Sequence, residues 1–469
     1  MMHFDKLFID GSWIEPFSGE VIEVENPANR SVVGSVPRGG EVDVNLAVEA
    51  ASRAFPKWAA TPVQERVRLM QSVLEYLEAN REQLIDIEVK ELGAPRDWAE
   101  RAHVKMPIGR LKNYIKLMET FEFEVQLEHS VVLKEPIGVV GCITPWNYPL
   151  GQVMQKIVPA ILCGNTVVLK PSQMTPLSAM ILAKGIEAAG MPKGVFNLVT
   201  GKAGEVGNAL AKHPKVDMIS FTGSTSAGKE VGKLALDRVK KVALELGGKS
   251  ANVILEGADY EAAVRSGLSS CYDNTGQTCA AWTRMIVPQN RKKEIEDLII
   301  AVTKEYVVGD PTNPQTNIGP LASRKQYDKV RKYVELGISE GATVLLGEVP
   351  AVEPGEGYYV KPFVFTDVDN KMTIAQEEIF GPVICVIPYD TVEEAIEIAN
   401  DSIYGLAGAV FGPEEEAKRV ARSMRTGTVY INNGRRDVNA PFGGYKQSGI
   451  GREGGPFGVE EFLELKATF

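Results

Sequence analysis

Cys279 stands in Asn274-Thr-Gly-Gln-Thr-Cys-Ala280, behind small polar residues and a glycine that suit an accessible loop. Cys142, Cys163 and Cys385 are embedded in apolar residues and read as buried packing groups. A free thiol titrates near ~8.5, so at neutral pH a nucleophilic cysteine needs a base or a positive field beside it. No histidine lies near the loops that could hold a ligand, and His213 is the least unattractive partner, reachable only through long-range folding. Glu245 lies in Val242-Ala-Leu-Glu-Leu-Gly-Gly-Lys-Ser250. On a strand it shares a face with Ala243, opposite Val242, Leu244 and Leu246. A solvated charge is one reading. Gly247-Gly248 directly after it favours another, because glycines let the backbone approach a ligand closely. A carboxylate among apolar neighbours also has a raised pKa and suits a general base near neutral pH. Asn147, between Pro145 and Pro149, is either a turn residue or an amide donor aimed at a developing oxyanion. Such a donor is worth roughly 3–4 kcal/mol in a dry site.

Gly223-Ser-Thr-Ser-Ala-Gly228 follows a strand pattern and precedes a helical one, so its amides could hold a phosphate at a helix N-terminus. The signal is weak alone, since β-to-α turns use glycine anyway and neither GxGxxG nor a Walker A lysine motif stands in the required context. Lys170 ends a buried strand before Pro171, where its ammonium can reach ribose hydroxyls or a phosphate. The five cysteines show no CxxC spacing and the histidines number four, which argues against a disulfide framework and for no metal site.

The elements that must position these groups are legible from periodicity. Lys6 to Gly19 reads as a small surface strand pair, with turn signals at Asp10-Gly11 and Ser18-Gly19. Apolar residues recur at three and four from Val42 to Leu92, giving amphipathic helices separated at Pro56 and Pro62 and ended by Gly93-Ala94-Pro95. Another helix is expected over Val104 to Thr120. Strands then alternate with helices: Gly138–Ile143, Thr166–Leu169, Val195–Val199 and Met218–Phe221. That alternation implies right-handed βαβ units and a parallel sheet whose carboxyl-end loops form a ligand crevice. A second α/β pattern runs from Ala251 to about Phe442, with strands at Met285–Val287, Ala342–Leu346, Val383–Ile387 and Thr428–Ile431. Phe121–Leu127 and Phe462–Phe469 belong to neither sheet and could pair with another subunit.

The length of 469 residues suggests about three domains, and 44% apolar with 24% charged residues is a globular composition. No apolar run approaches the ~18 residues that cross a bilayer, and Met1–Asp10 lacks a secretory pattern, so a cytoplasmic protein with no membrane partner is expected. A net charge of −10 gives no bulk attraction for phosphate backbones, so no nucleic-acid partner is expected.

Together the motifs resemble the aldehyde dehydrogenase superfamily over nearly the whole chain. They stand, in that family's order, as Pro145-Trp-Asn-Tyr-Pro149, Lys170-Pro-Ser-Gln173, Phe221-Thr-Gly-Ser224 with Gly228, Glu245-Leu-Gly-Gly-Lys-Ser250, Gly276-Gln-Thr-Cys279, Glu377-Glu-Ile-Phe-Gly-Pro382 and Pro441-Phe-Gly-Gly-Tyr-Lys446. The resemblance implies an α/β fold with a Rossmann-like cofactor-binding domain (1–115 and 137–247), an α/β catalytic domain (248–442) and a small β oligomerisation arm (116–136 and 443–469). It implies Cys279 as nucleophile, Glu245 as general base, and Asn147 with the Cys279 N–H as oxyanion donors. Ile143, Thr144, Pro145, Trp146, Lys170, Gln173, Gly223 and Ser224 match positions that contact NAD or NADP, and Glu378 and Phe380 match those at the nicotinamide ribose and ring. Tyr148, Gln152, Gln155, Asp273 and Arg436 should line the aldehyde tunnel, a polar set that implies a polar or hydroxylated substrate. Gln173 departs from the second acid many NAD-preferring relatives carry, so NADP should be tolerated beside NAD. The implied reaction oxidises an aldehyde to its acid through a cysteine thioester, in a homodimer or homotetramer. A CoA-acylating dehydrogenase, a thiol esterase and a non-catalytic nucleotide-binding protein are the alternatives, and Glu245 weighs against CoA acylation because a water-activating base would be unwanted there.

Overall fold

The apolar run ending at Ile143 becomes the Val139–Ile143 strand at the middle of an eight-stranded sheet in this computed structural model, which describes residues 1–469. Its strand order is Gly449–Ile450, Lys241–Glu245, Met218–Thr222, Val139–Ile143, Thr166–Lys170, Phe196–Leu198, Leu7–Ile9 and Ser12–Ile14. The five inner strands are parallel and both flanks join antiparallel. Alternation explains why these strands read as continuous apolar runs: Val140 and Cys142 face one apolar cluster, Val139 and Ile143 the other. Chain order runs outward in both directions from Val139–Ile143. The loops after it and after Met218–Thr222 therefore flank the switch point where α/β sheets bind ligands.

Two expectations about the first hundred residues need correction. The Leu7–Ile9 and Ser12–Ile14 hairpin is not a separate surface pair; Leu7, Phe8 and Ile9 are buried and extend the large sheet through Leu198. Pro56 does not divide two helices but lies inside Glu41–Ala59, and only Pro62 marks a boundary, preceding Val63–Ala79. The helix loses one hydrogen bond at Pro56, yet the turn beyond it buries Trp58, whose indole N–H donates to the Ile161 carbonyl at 3.2 Å. The helix expected from Val104 begins earlier. Arg96–Trp98 leads into a π-helical stretch, Ala99–Lys105, and then Met106–Leu117. Pro107 has no N–H to close a bond to the His103 carbonyl, and the Met106 N–H reaches five residues back, to Arg101.

The second sheet has seven strands, ordered Thr343–Leu346, Phe363–Thr366, Val383–Tyr389, Arg284–Pro288, Ala251–Ile254, Ala407–Phe411 and Thr428–Ile431. All pairs are parallel except the first. Ala251–Ile254, Phe363–Thr366 and Ala407–Phe411 go beyond the strands read from sequence. The last owes its place to packing, since its small residues have little strand preference of their own. Glu124–Gln126, Val131–Pro136 and Leu463–Thr468 form a separate antiparallel sheet. Met2–His3, Val32–Pro37 and Val21–Glu25 form a small mixed sheet. No helix is long and apolar enough to cross a membrane.

Candidate active site

The strand ending at Glu245 and the loop ending at Cys279 meet because two glycines remove the side chains that would hold them apart. A Cβ at Gly248 would lie 2.7 Å from the Cys279 carbonyl oxygen, and one at Gly247 would lie 2.7–2.8 Å from the Glu378 carboxylate. The Gly248 N–H donates to Glu378 Oε1 at 3.2 Å. Ser448 braces the same turn: its hydroxyl donates to the Gly247 carbonyl at 2.7 Å and accepts from the Gly405 N–H. Glu245 is buried and neither of its oxygens has a hydrogen-bond partner within the chain by geometry. Burial first, then the Glu453 charge, hold its carboxyl well above the usual carboxylate range, against the opposing pull of Lys156 and the Cys279 thiol. Cys279 is the one cysteine of the five that is not fully buried. Its thiol is pushed well up by desolvation and by the Glu245 and Glu378 charges. At neutral pH the thiol therefore keeps its proton unless a base takes it, and the Glu245 carboxyl is the titratable group that acts on it most strongly.

The loop before Cys279 is strained. Asn274, Thr275 and Gly276 are all left-handed, at φ 55°, 59° and 72°. A non-glycine residue there costs on the order of 1–3 kcal/mol. A Cβ at Gly276 would lie 2.2 Å from the Gly381 carbonyl carbon, so glycine is required there twice over. The other two are held by side chains. Thr275 donates to the Gly319 carbonyl at 3.2 Å. Asn274 Nδ2 donates to the Asn147 carbonyl at 2.8 Å and to the Gln277 carbonyl at 3.3 Å. Asn147 Nδ2 donates to that same Gln277 carbonyl at 2.9 Å, leaving its second N–H free. The backbone N–H of Cys279 has no acceptor within the chain. Two free donors thus stand on the two loops that flank the thiol.

The remaining sequence-predicted residues separate into groups. Ile143 and Thr144 are buried at the end of the central strand, and the Thr144 hydroxyl has no partner. Pro145 and Trp146 are half-buried, and Trp146 meets Phe380 edge-on with ring centroids 5.4 Å apart. Phe380 has φ 65°, another strained position. Lys170 is buried without an acid partner, and desolvation lowers its ammonium to about 8. Gln173 is half-buried in the following loop. The Gly223 N–H donates to the Glu245 carbonyl at 3.1 Å, and Ser224 caps Thr225–Leu236 by accepting from the Ala227 N–H.

The family's sequence model, described as the aldehyde dehydrogenase family, matches residues 13–468. The chain belongs to the aldehyde dehydrogenase family. Among its relatives, 3-succinoylsemialdehyde-pyridine dehydrogenase of a Pseudomonas species is 46% identical over 471 residues, covering 100% of this chain and 99% of that one. A Pseudomonas syringae aldehyde dehydrogenase, solved as a cysteine-to-alanine variant with NAD+ and octanal, superposes with a TM-score of 0.97 at 44% identity, over 99% of this chain and 96% of that one. A Mycobacterium tuberculosis aldehyde dehydrogenase solved with NAD+ gives 0.97 at 42% identity, over 100% and 98%. This chain is accordingly an α/β aldehyde dehydrogenase.

Three features of this aldehyde dehydrogenase escaped the sequence reading. His213 is not the histidine near the site; it precedes Met218–Thr222, at the opposite end of that strand from Gly223, and contacts Asn45 at 3.1 Å. His103 is near instead. It is fully buried, stacks on Tyr148 at 4.8 Å, and its Nε2 contacts Asn274 Oδ1 at 3.2 Å. Because Asn274 uses its amide N–H groups elsewhere, its Oδ1 accepts and His103 Nε2 carries the proton. Burial lowers the imidazole to about 4, so it is neutral at pH 7, and its Nδ1 faces Glu88 Oε2 at 3.7 Å. The second feature is a buried ion pair, Lys156 with Glu453 at 2.6 Å, whose charges both act on Glu245. The third is Arg110, which lines a cavity of about 570 Å³ with Gln155 and Arg436. Tyr148 and Asp273 line a neighbouring cavity of about 470 Å³; Gln152 is buried and lines neither.

Proposed function

We propose that Cys279 attacks the aldehyde carbon while Glu245 receives the thiol proton, and that the free N–H of Asn147 and the backbone N–H of Cys279 stabilise the resulting oxyanion. The observation that carries this reading is that the Asn147 and Cys279 loops are tied together at the Gln277 carbonyl, while the buried Glu245 carboxyl, unpartnered by geometry, lies close enough to the Cys279 thiol for each to act on the other. Thr144, Lys170, Gln173, Gly223 and Ser224 would hold the dinucleotide, with Trp146, Glu378 and Phe380 around its nicotinamide end; the unpartnered Thr144 hydroxyl, the acid-free Lys170 and the capped helix start fit such a group. Bound NAD or NADP supplies the hydride acceptor. Glu245 then passes the thiol proton to solvent, and the ionised carboxylate deprotonates a water that attacks the thioester, releasing the acid and freeing the Cys279 sulfur; burial, which raises its carboxyl, makes it a stronger base for that step.

The proposed domains follow the sheets: cofactor binding on the eight-stranded sheet, catalysis on the seven-stranded one, and oligomerisation through the three-stranded sheet of residues 116–136 and the C-terminal segment. The strand Gly449–Ile450 is an exception within that last segment, since it pairs with Lys241–Glu245. The protein is proposed to act in the cytoplasm as a homo-oligomer. Absorbance of reduced cofactor, followed over an aldehyde panel with and without CoA, tests the reaction. Reduction that needs no CoA and disappears in Cys279→Ala supports it; strict dependence on CoA, or full activity in the variant, overturns it.

A further inference from the structure

The 570 Å³ cavity contains two guanidinium groups and no acid. Arg110, on Met106–Leu117, and Arg436, on the loop after Thr428–Ile431, line it with Asn113, Gln155 and Tyr430. Neither arginine makes an ion pair, although elsewhere in the chain Arg265 and Arg324 each engage two carboxylates. The one side-chain partner of Arg110 is the Met106 sulfur at 3.5 Å, a weak acceptor. Arg436 is exposed at the mouth of the cavity, its guanidinium carbon 4.9 Å from the Phe442 ring centroid and its N–H groups without an acceptor in the chain. Glu453, an acid that acts on Arg110, is already engaged by Lys156. Desolvation, and then the charge of Arg436, depress the Arg110 guanidinium.

Two placements connect this site to the reacting centre. A Cβ at Gly151, four residues after Asn147, would lie 3.9 Å from Arg110 Nη1. Tyr430 lines both this cavity and its neighbour, where it stands with Tyr148 and with Thr278, the residue before Cys279. Two guanidinium forks with free N–H groups match a carboxylate, which accepts from them in the plane. We propose that the aldehyde oxidised at Cys279 carries a carboxylate at its far end, held between Arg110 and Arg436. This rests on the aldehyde-oxidising reading of Cys279. Asp273, on the neighbouring wall, supports the orientation. Its carboxyl is raised by burial to about 7, with the Arg101 charge opposing, so it is partly ionised at neutral pH and disfavours an anion on that side.

The test compares ω-oxo carboxylates of three to eight carbons with the alkanals of equal length and with phosphorylated aldehydes. For the wild-type enzyme, kcat/KM for the best oxo acid should exceed that of its alkanal by about tenfold to a hundredfold, mostly through KM, as charge-assisted hydrogen bonds provide. Arg110→Gln and Arg436→Gln should each shrink that ratio about tenfold, with Arg110→Lys restoring part of it. Dicarboxylates of matching length should inhibit the wild type competitively against aldehyde, a readout independent of whether the variants fold. Alkanals matching or exceeding the oxo acids at every length, phosphorylated aldehydes exceeding them, a ratio surviving both substitutions, or dicarboxylates failing to compete would each overturn the anion site. If no aldehyde reduces the cofactor at all, the reading of Cys279 fails instead.

Discussion

In the proposed reaction Glu245 has two demands placed on it, since the same carboxyl takes a proton from a thiol and, once it has passed that proton to solvent, another from water. Burial makes both feasible near neutral pH by holding the group well above the ordinary carboxylate range. The sign is direct. Below that raised pKa the base is protonated and idle, so kcat should climb as pH rises through it, at a midpoint well above 4.5. In Glu245→Gln that limb should vanish, and reduced cofactor should form about 10²–10⁴-fold more slowly from the first turnover, with no burst, since thiol attack and acyl release both use the base. An unaltered pH limb would assign the base to another group, and a fast one-equivalent burst would confine Glu245 to the water step. Gln173 carries the second prediction at this scale. A neutral amide neither repels a 2′-phosphate nor binds the ribose diol as a carboxylate does, and Lys170 nearby has no acid of its own. NADP should therefore give kcat/KM within about tenfold of NAD, and Gln173→Glu should lower the NADP value by about tenfold or more, as a charge pair a few ångströms apart implies. Cys279 was legible because its neighbours are small and polar, and it is the one thiol left partly accessible. His103 was not legible: nothing in its local pattern indicates a partner 171 positions away.

At the scale of elements, the proposed oxyanion site depends on a helix that does not touch it. The π-helical stretch before Pro107 carries His103 into contact with Asn274, whose amide ties the Asn147 loop to the Cys279 loop. Removing the imidazole frees Asn274 to turn, and a misplacement of about 1 Å at such a site costs up to ~10²-fold in rate. His103→Ala should thus lower kcat by about ten- to a hundredfold with little change in KM, and lower any ester hydrolysis in parallel, whereas a purely structural loss would reduce the active fraction alone. Behind His103, burial raises the Glu88 carboxyl to about 8. A raised folded-state pKa means stability present at low pH and progressively lost as pH climbs from about 4.5 to 8. His103, depressed to about 4, acts in the opposite sense, its contribution lost as pH falls from about 6.5 to 4. Glu88→Gln should therefore gain thermal midpoint relative to wild type on moving from pH 5 to pH 8; a difference independent of pH would show that Glu88 is ionised in the fold. Periodicity revealed most helices and the parallel strands of the first sheet, since those runs are buried on both faces. Ala407–Phe411 was hidden because a short run led by alanine and glycine becomes a strand through its neighbours, and Ala251–Ile254 because four residues directly after Gly247-Gly-Lys-Ser250 are too few to show a pattern.

For the whole molecule, the three-stranded sheet is the part whose residues are least explained by one chain. Across the antiparallel pairs, Leu465 stands opposite Lys134, Ala467 opposite Val132, and Val132 opposite Val125, so these side chains share one face. That face is apolar apart from Lys134, whose ammonium reaches out to Glu460 and over the Phe121 ring. The reverse face carries Glu464, Lys466, Glu135 and Glu124, with Lys466 and Glu135 ion-paired. Sequence alone placed both outer pieces outside the main sheets but missed Val131–Pro136, the strand that joins them. Leu465 remains 71% exposed, on an edge strand whose outer backbone groups have no partner, and a monomer gains nothing from that arrangement. Covering the face with a second copy would bury the apolar side chains and satisfy the edge together. Leu465→Asp should accordingly lower the mass found by light scattering from that of a dimer or tetramer towards 51.1 kDa, while the circular dichroism of the two large sheets is retained. A wild-type protein already at the monomer mass, or a variant whose assembly is unaltered, would place the subunit contact on another surface and leave this sheet as an internal brace.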